Sequence, residues 1–364
     1  MAGPATKRAS GSVVVPVDWK DGFVLHTPAE QDDSIVSAPR LAPGEELAPG
    51  PRPTSFEVPL TSLRGEAKEK LPASTKAALI GPDGAPLLVV LGGISGNRFA
   101  CANEDGRSGW WSSIFGPQGP VGEGEFRVLG IDFVADETGA FAPTTLDQTA
   151  IIRDSLAVIG EGDPFALVGA SYGGMVALAY AQEYRPSSRL IIFGAGAEPH
   201  AMATAARSLQ RQVVALGIVA GKAEEALAIA RAMGMTTYRT PREFADRFKG
   251  GIDNGDPLSS SEPWRYLSAR GAAFINVMSP GRFLSLSGSI DRHRIDPAAI
   301  GNDALVIACT EDQVAPLQQC AELAAKLGGN TRFRVIESIY GHDSFLTEPE
   351  RVGALIREFL DEAR

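Results

Sequence analysis

Six short runs of apolar, largely β-branched residues recur along the chain with helical patterns between them, and this alternation constrains the fold more than any other feature. The runs are "PLLVVLGG" at 86–93, "FRVLGIDFV" at 126–134, "PFALVGA" at 164–170, "RLIIFGA" at 189–195, "DALVIAC" at 303–309 and "RFRVIES" at 332–338. They are continuous rather than alternating, so each must be covered on both faces, as the strands of a parallel sheet are. Strands separated by helices therefore predict an α/β fold with a mostly parallel sheet and helices on both faces. A chain of 364 residues is long enough for one large domain of this kind with an insertion. Residues 196–302, between the fourth and fifth runs, form a span several times longer than an ordinary crossover. Its segments "ATAARSLQRQVVALG", "AEEALAIARAMGM" and "PREFADRFKG" carry apolar residues at helical spacing, which predicts a helical cap or lid over 196–302. The core is then 56–195 with 303–364. Residues 1–55, rich in Pro, Ala, Gly and acidic residues, read as a partly extended N-terminal arm.

Charge excludes one class of partner. The net charge is −10, whereas nucleic acid binding requires clustered Lys and Arg. Lys7 and Arg8 are followed only by the short apolar run Val13–Val15, far from the apolar core of a secretion signal. No stretch approaches the roughly 18 uninterrupted apolar residues of a membrane-spanning helix. A cytoplasmic protein without a membrane partner is expected. Cys101, Cys309 and Cys320 are odd in number and lack Cys-x-x-Cys spacing, so neither a disulfide framework nor a metal site is signalled.

Gly169-Ala170-Ser171-Tyr172-Gly173 matches G-x-S-x-G and stands between the strand "PFALV" and the helical "GMVALAYAQEY". A serine on such a strand-to-helix turn is exposed above the sheet, which makes Ser171 the candidate nucleophile; the bland alternative is an ordinary Gly-rich turn. A serine hydroxyl needs a base. Of the four histidines, His26, His200, His293 and His342, only His342 follows the last strand, and Asp312 follows the strand before it. Serine, acid and histidine thus occur in the order of an α/β-hydrolase fold, with Glu311 an alternative to Asp312. The "LGGIS" segment at 91–95 follows a strand, so the backbone N–H groups of Ile94 and Tyr172 are the candidate oxyanion donors.

Around these residues the chain resembles the homoserine O-acyltransferase family over roughly 85–360. The matching pieces are "GWWSSIFGP" at 109–117, "GASYGGMVAL" at 169–178, "RQVV" at 211–214, "ALAIARAMGMTTYRTPREFADRF" at 226–248, "WRYLSARGAAF" at 264–274 and "GHDSFLTE" at 341–348. The resemblance implies a triad of Ser171, Asp312 and His342 with Ile94 and Tyr172 as oxyanion hole. It implies Arg231 as the lid residue that holds an amino acid's carboxylate and Asp343 as the partner of its ammonium group, with Tyr238 a further contact. It also implies acyl-CoA as co-substrate, no bound cofactor, and a homodimer. A guanidinium and a carboxylate so placed suit a zwitterionic amino acid.

The sequence departs from the family in two places. "ADETGAFAP" replaces the usual G-S-x-G-P-like loop after "FRVLGIDFV", and Gln-Val-Ala-Pro follows Asp312 where many relatives carry a bulkier residue. The donor, acetyl or succinyl, and the acceptor, homoserine or serine, stay open. Arg98, close to Ile94, favours succinyl because a second carboxylate needs a cation. An esterase using the same triad, and a non-catalytic binding protein, are the rival readings.

Overall fold

The computed structural model describes residues 52–122, 124–252, 255–258 and 260–362. Eight strands form its sheet: β1 (Thr54–Pro59), β2 (Ser74–Ile80), β3 (Leu87–Leu91), β4 (Arg127–Ile131), β5 (Ala166–Ala170), β6 (Arg189–Phe193), β7 (Ala304–Cys309) and β8 (Thr331–Ile336). Their spatial order is β1-β2-β4-β3-β5-β6-β7-β8. β2 pairs antiparallel with β1 and β4, and every other pairing is parallel.

The six apolar runs are β3 to β8. β1 and β2 did not appear among them, because "TSFEVP" and "STKAALI" are interrupted by polar residues and end the sheet with a partly wet face. Of the expected arm, residues 54 and 55 belong to β1, and residues 1–51 lie outside the described residues.

Twelve helices are described: α1 (Gly65–Lys70), α2 (Ser112–Phe115), α3 (Thr145–Val158), α4 (Tyr172–Tyr184), α5 (Ala201–Val219), α6 (Ala223–Tyr238), α7 (Pro241–Arg247), α8 (Glu262–Phe274), α9 (Pro280–Asp291), α10 (Leu317–Lys326), α11 (Ser344–Thr347) and α12 (Pro349–Asp361). Both faces of the sheet are covered, as continuous apolar strands require. Leu87, Val89 and Leu91 of β3 point into a core shared with α3, α4 and α10. Leu88 and Val90 point the other way, to a core shared with α2 and α12. Val352, Ile356, Phe359 and Leu360 make the inward stripe of α12.

Helices α5 to α9 stand between β6 and β7 and have a small core of their own, in which Val214, Leu227, Phe274 and Phe283 meet. β3 is flanked by β4 on one side and β5 on the other, so successive crossovers leave β3 in opposite directions. At such a switch point the loops after the strands diverge and leave a crevice at the carboxyl ends.

Candidate active site

Ser171 occupies the step between β5 and α4 with φ 54° and ψ −120°, one of two non-glycine residues of positive φ among those described. Holding a serine there costs on the order of 1–3 kcal/mol and persists because the surroundings allow nothing else. The flanking glycines explain how. A Cβ on Gly169 would overlap the carbonyl oxygen of Gly173, and a Cβ on Gly173 would overlap that of Leu91 in β3. The Ser171 N–H donates to the Phe193 carbonyl of β6 at 2.8 Å, which ties the turn to the next strand.

His342 lies in a short 3-10 turn, Gly341–Asp343, just beyond β8. Its Nε2 is 2.8 Å from Ser171 Oγ and its Nδ1 is 2.7 Å from Asp312 Oδ2. The other carboxylate oxygen, Asp312 Oδ1, accepts the N–H groups of Val314 and Ala315 at 2.7 and 2.9 Å. Those two bonds lock the carboxylate so that Oδ2 can only face the ring. Asp312 therefore takes the position for which Glu311 was the alternative. Burial pulls the His342 pKa down, but the charge and hydrogen bond of Asp312, helped by the charge of Asp343, outweigh it and hold the pKa above the ordinary histidine value. Gly194, at φ 57°, lies under the pair: a Cβ there would come within 3.3 Å of His342 Cε1 and 3.4 Å of Asp312 Oδ2.

A cavity opens above Ser171. Ile94 and Tyr172 both line it, and neither backbone N–H has a hydrogen-bond partner among the described residues. Two free donors beside a serine can receive an oxygen that gains negative charge. The Tyr172 ring itself is held away, its hydroxyl 2.6 Å from Ser289 Oγ and its ring packed T-shaped with that of Phe133. The far wall comes from α5, α6, α8 and α9, and it includes Arg231 and Tyr238 of α6. The Arg231 guanidinium lies 5.2 Å from the Tyr238 ring centre and 4.9 Å from that of Phe274, and it forms no ion pair among the described residues. Asp343 also lines the cavity, with Oδ2 2.9 Å from Arg239 Nε in an ionic contact that lacks hydrogen-bond alignment.

A family model described as the alpha/beta hydrolase family matches residues 88–355. Homoserine O-succinyltransferase of Xanthomonas campestris pv. campestris is 35% identical over 76% of this chain and 76% of that protein. The chain belongs to the α/β-hydrolase family, in its homoserine O-acyltransferase branch. A serine O-succinyltransferase of Litchfieldella anticariensis is 28% identical over 75% of this chain and 88% of its own length. The crystal structure of homoserine O-acetyltransferase from Bacillus anthracis aligns with a TM-score of 0.73 at 15% identity, over 85% of this chain and 98% of that one, and bears on the fold alone.

One residue expected at this family's site is not there. Arg98 does not line the cavity: its Nη1 is 2.7 Å from Asp132 Oδ2, its Nε donates to Ser55 Oγ at 3.1 Å, and its guanidinium stacks on Phe99. It fastens β1 to the end of β4. Nearness in sequence to Ile94 said nothing of direction, because a turn closed by the Gly96 N–H on the Gly93 carbonyl begins just before Ile94 and lies between it and Arg98. Conversely, Arg239 and Arg207 were not singled out. Arg239 grips Asp343 and, on its other side, Glu243, which is itself paired with Arg247. Only its buried setting, 6% exposed, marks Arg239, and burial is not visible in "TTYRTPREF".

Proposed function

We propose that the protein transfers an acyl group from acyl-CoA to the side-chain hydroxyl of L-homoserine in methionine biosynthesis, through an acyl-enzyme on Ser171. His342 Nε2 takes the Ser171 proton as Oγ attacks the thioester carbonyl, and the carbonyl oxygen, now negative, accepts from the N–H groups of Ile94 and Tyr172. The C–S bond breaks, the thiolate of CoA leaves with the proton that His342 returns, and Ser171 holds the acyl ester. Homoserine then repeats the sequence in reverse: its hydroxyl loses a proton to His342, attacks the ester, and Ser171 regains the proton. Asp312 holds the imidazole in the tautomer that leaves Nε2 free to accept.

Arg231 is the observation that carries this reading over an esterase. A guanidinium on the wall of the serine's own cavity, with no carboxylate partner among the described residues, calls for an anionic group from the substrate, and Asp343 supplies an anion for the ammonium of the same amino acid. Replacing Arg231 by Ala should raise KM for homoserine at least about tenfold while acylation by acyl-CoA proceeds unchanged, since a charge-assisted contact to one substrate is worth about 1.5–3 kcal/mol. Equal losses in both half-reactions would refute the assignment. Comparing kcat/KM for homoserine and serine settles the acceptor, which differ by one methylene and about 1–3 kcal/mol.

A user of acyl-CoA would suit the cytoplasm; separately, no helix among the described residues is long and apolar enough to cross a membrane. The homodimer is supported by Met202, Leu209 and Leu216, three largely exposed apolar side chains at seven-residue spacing on α5. Sedimentation should give a dimer that Leu209→Glu converts to monomer; a monomeric parent would contradict it.

A further inference from the structure

The cavity above Ser171 carries more positive charge than an amino acid and a neutral acyl group can use. Its ionised lining groups, apart from the histidines, are Arg207, Arg231 and Asp343. In the proposed function Arg231 and Asp343 are matched by the two ends of the zwitterionic acceptor. Arg207 remains.

Arg207 is held on α5 with its residue 8% exposed. Its Nε donates to Asp291 Oδ1 at 2.8 Å and its Nη2 lies 2.7 Å from the same oxygen and donates to Thr204 Oγ1 at 3.2 Å. Asp291 does not neutralise it alone, because Arg211 Nη1 sits 2.7 Å from Asp291 Oδ2. Two guanidiniums therefore share one carboxylate, which leaves the trio with a net positive charge, and of the three Arg207 is the one that lines the cavity. The third nitrogen, Arg207 Nη1, has no protein partner among the described residues, and Arg207 lines the cavity. A buried cation held rigid on one side and open on the other is a site for an anion, since leaving such a charge uncompensated in a low-dielectric wall is costly.

We infer that Arg207 receives the distal carboxylate of a dicarboxylic acyl group, so that the donor is a succinyl-type thioester. The inference rests on the acyl-enzyme reading above and takes over the role that Arg98, turned away toward Asp132, does not fill. Arg207 is a specificity-determining residue: it touches the transferred group at the end far from the reacting carbonyl, and Asp291, Arg211 and Thr204 fix its direction.

The test compares acylation of Ser171 by succinyl-CoA, acetyl-CoA and butyryl-CoA, the last being as long as succinyl but uncharged. The wild-type enzyme should prefer succinyl-CoA to butyryl-CoA by about ten- to a hundredfold in kcat/KM, the range of one charge-assisted contact. Arg207→Gln should erase most of that preference and leave acetyl-CoA little changed. Asp291→Asn, which removes the anion that partly neutralises Arg207, should leave the preference intact or widen it, whereas a merely structural role would make both variants fall alike. Wild-type enzyme that accepts butyryl-CoA as readily as succinyl-CoA overturns the inference without any variant having to fold. A Gln variant that loses all three thioesters equally also overturns it, since Arg207 would then serve the shared CoA portion or the helix. Should no thioester acylate Ser171, the acyl-enzyme reading beneath it falls instead.

Discussion

In the proposed reaction His342 must accept a proton, which it can do only while neutral, and the residue-scale electrostatics set the pH at which that holds. Asp312 at 2.7 Å raises the His342 pKa against the opposing pull of burial. A raised pKa keeps the ring protonated to higher pH, so activity should be lost on acidification sooner than an ordinary histidine would dictate. The kcat/KM profile for the acyl donor is expected to show an acidic limb with an apparent pKa above about 6.5; a limb at or below that value would contradict the geometry. The hydrogen-bonded row Ser171–His342–Asp312 was legible in the sequence because its members follow named strands in a set order, and Ser171 brings its own glycine signature. Direction was not legible. Arg98 and Arg207 are both arginines near expected pocket segments, and only the partners Asp132 and Asp291, 34 and 84 residues distant, decide which one faces the cavity.

Among the elements, the helices between β6 and β7 are joined to the sheet by a second histidine. His293, just past α9, has Nδ1 2.8 Å from Thr145 Oγ1 at the start of α3 and Nε2 3.2 Å from the carbonyl of Gly196 after β6. The carbonyl fixes Nε2 as the donor, so Thr145 donates to Nδ1 and the ring is neutral. Burial pushes its pKa down to about 4 from an ordinary value near 6.5. The unfolded chain therefore binds a proton in a window where the folded one does not, and stability is present above about pH 6.5 and falls as pH drops toward 4. At about 1.4 kcal/mol per unit the loss amounts to roughly 3 kcal/mol. Urea unfolding of His293→Gln should show a shallower decline than the parent across that window, and His342, present in both, cancels. Identical slopes would mean that His293 is not held neutral. The helices themselves were readable from their 3.6-residue pattern and from the length of residues 196–302. This latch was not, for a lone histidine in "DRHRID" carries no sign of its partners 97 and 148 residues back.

For the whole molecule, the parallel core was readable because six apolar strands announce a sheet buried on both faces, while β1 and β2 were missed because partly wet strands at the sheet's antiparallel end resemble loop sequence. The same architecture sets the central claim. β3 and β5 end at the switch point, the loop carrying Ile94 follows one and Ser171 the other, and the helices after β6 wall the space above them. The covalent acyl-enzyme proposed above would be held in that space. Intact-protein mass spectrometry after mixing with acyl-CoA alone, with no amino acid present, should find one acyl group added, located at Ser171, absent in Ser171→Ala and discharged when homoserine is supplied. Enzyme that stays unmodified under those conditions, yet turns over when both substrates are present, would contradict it.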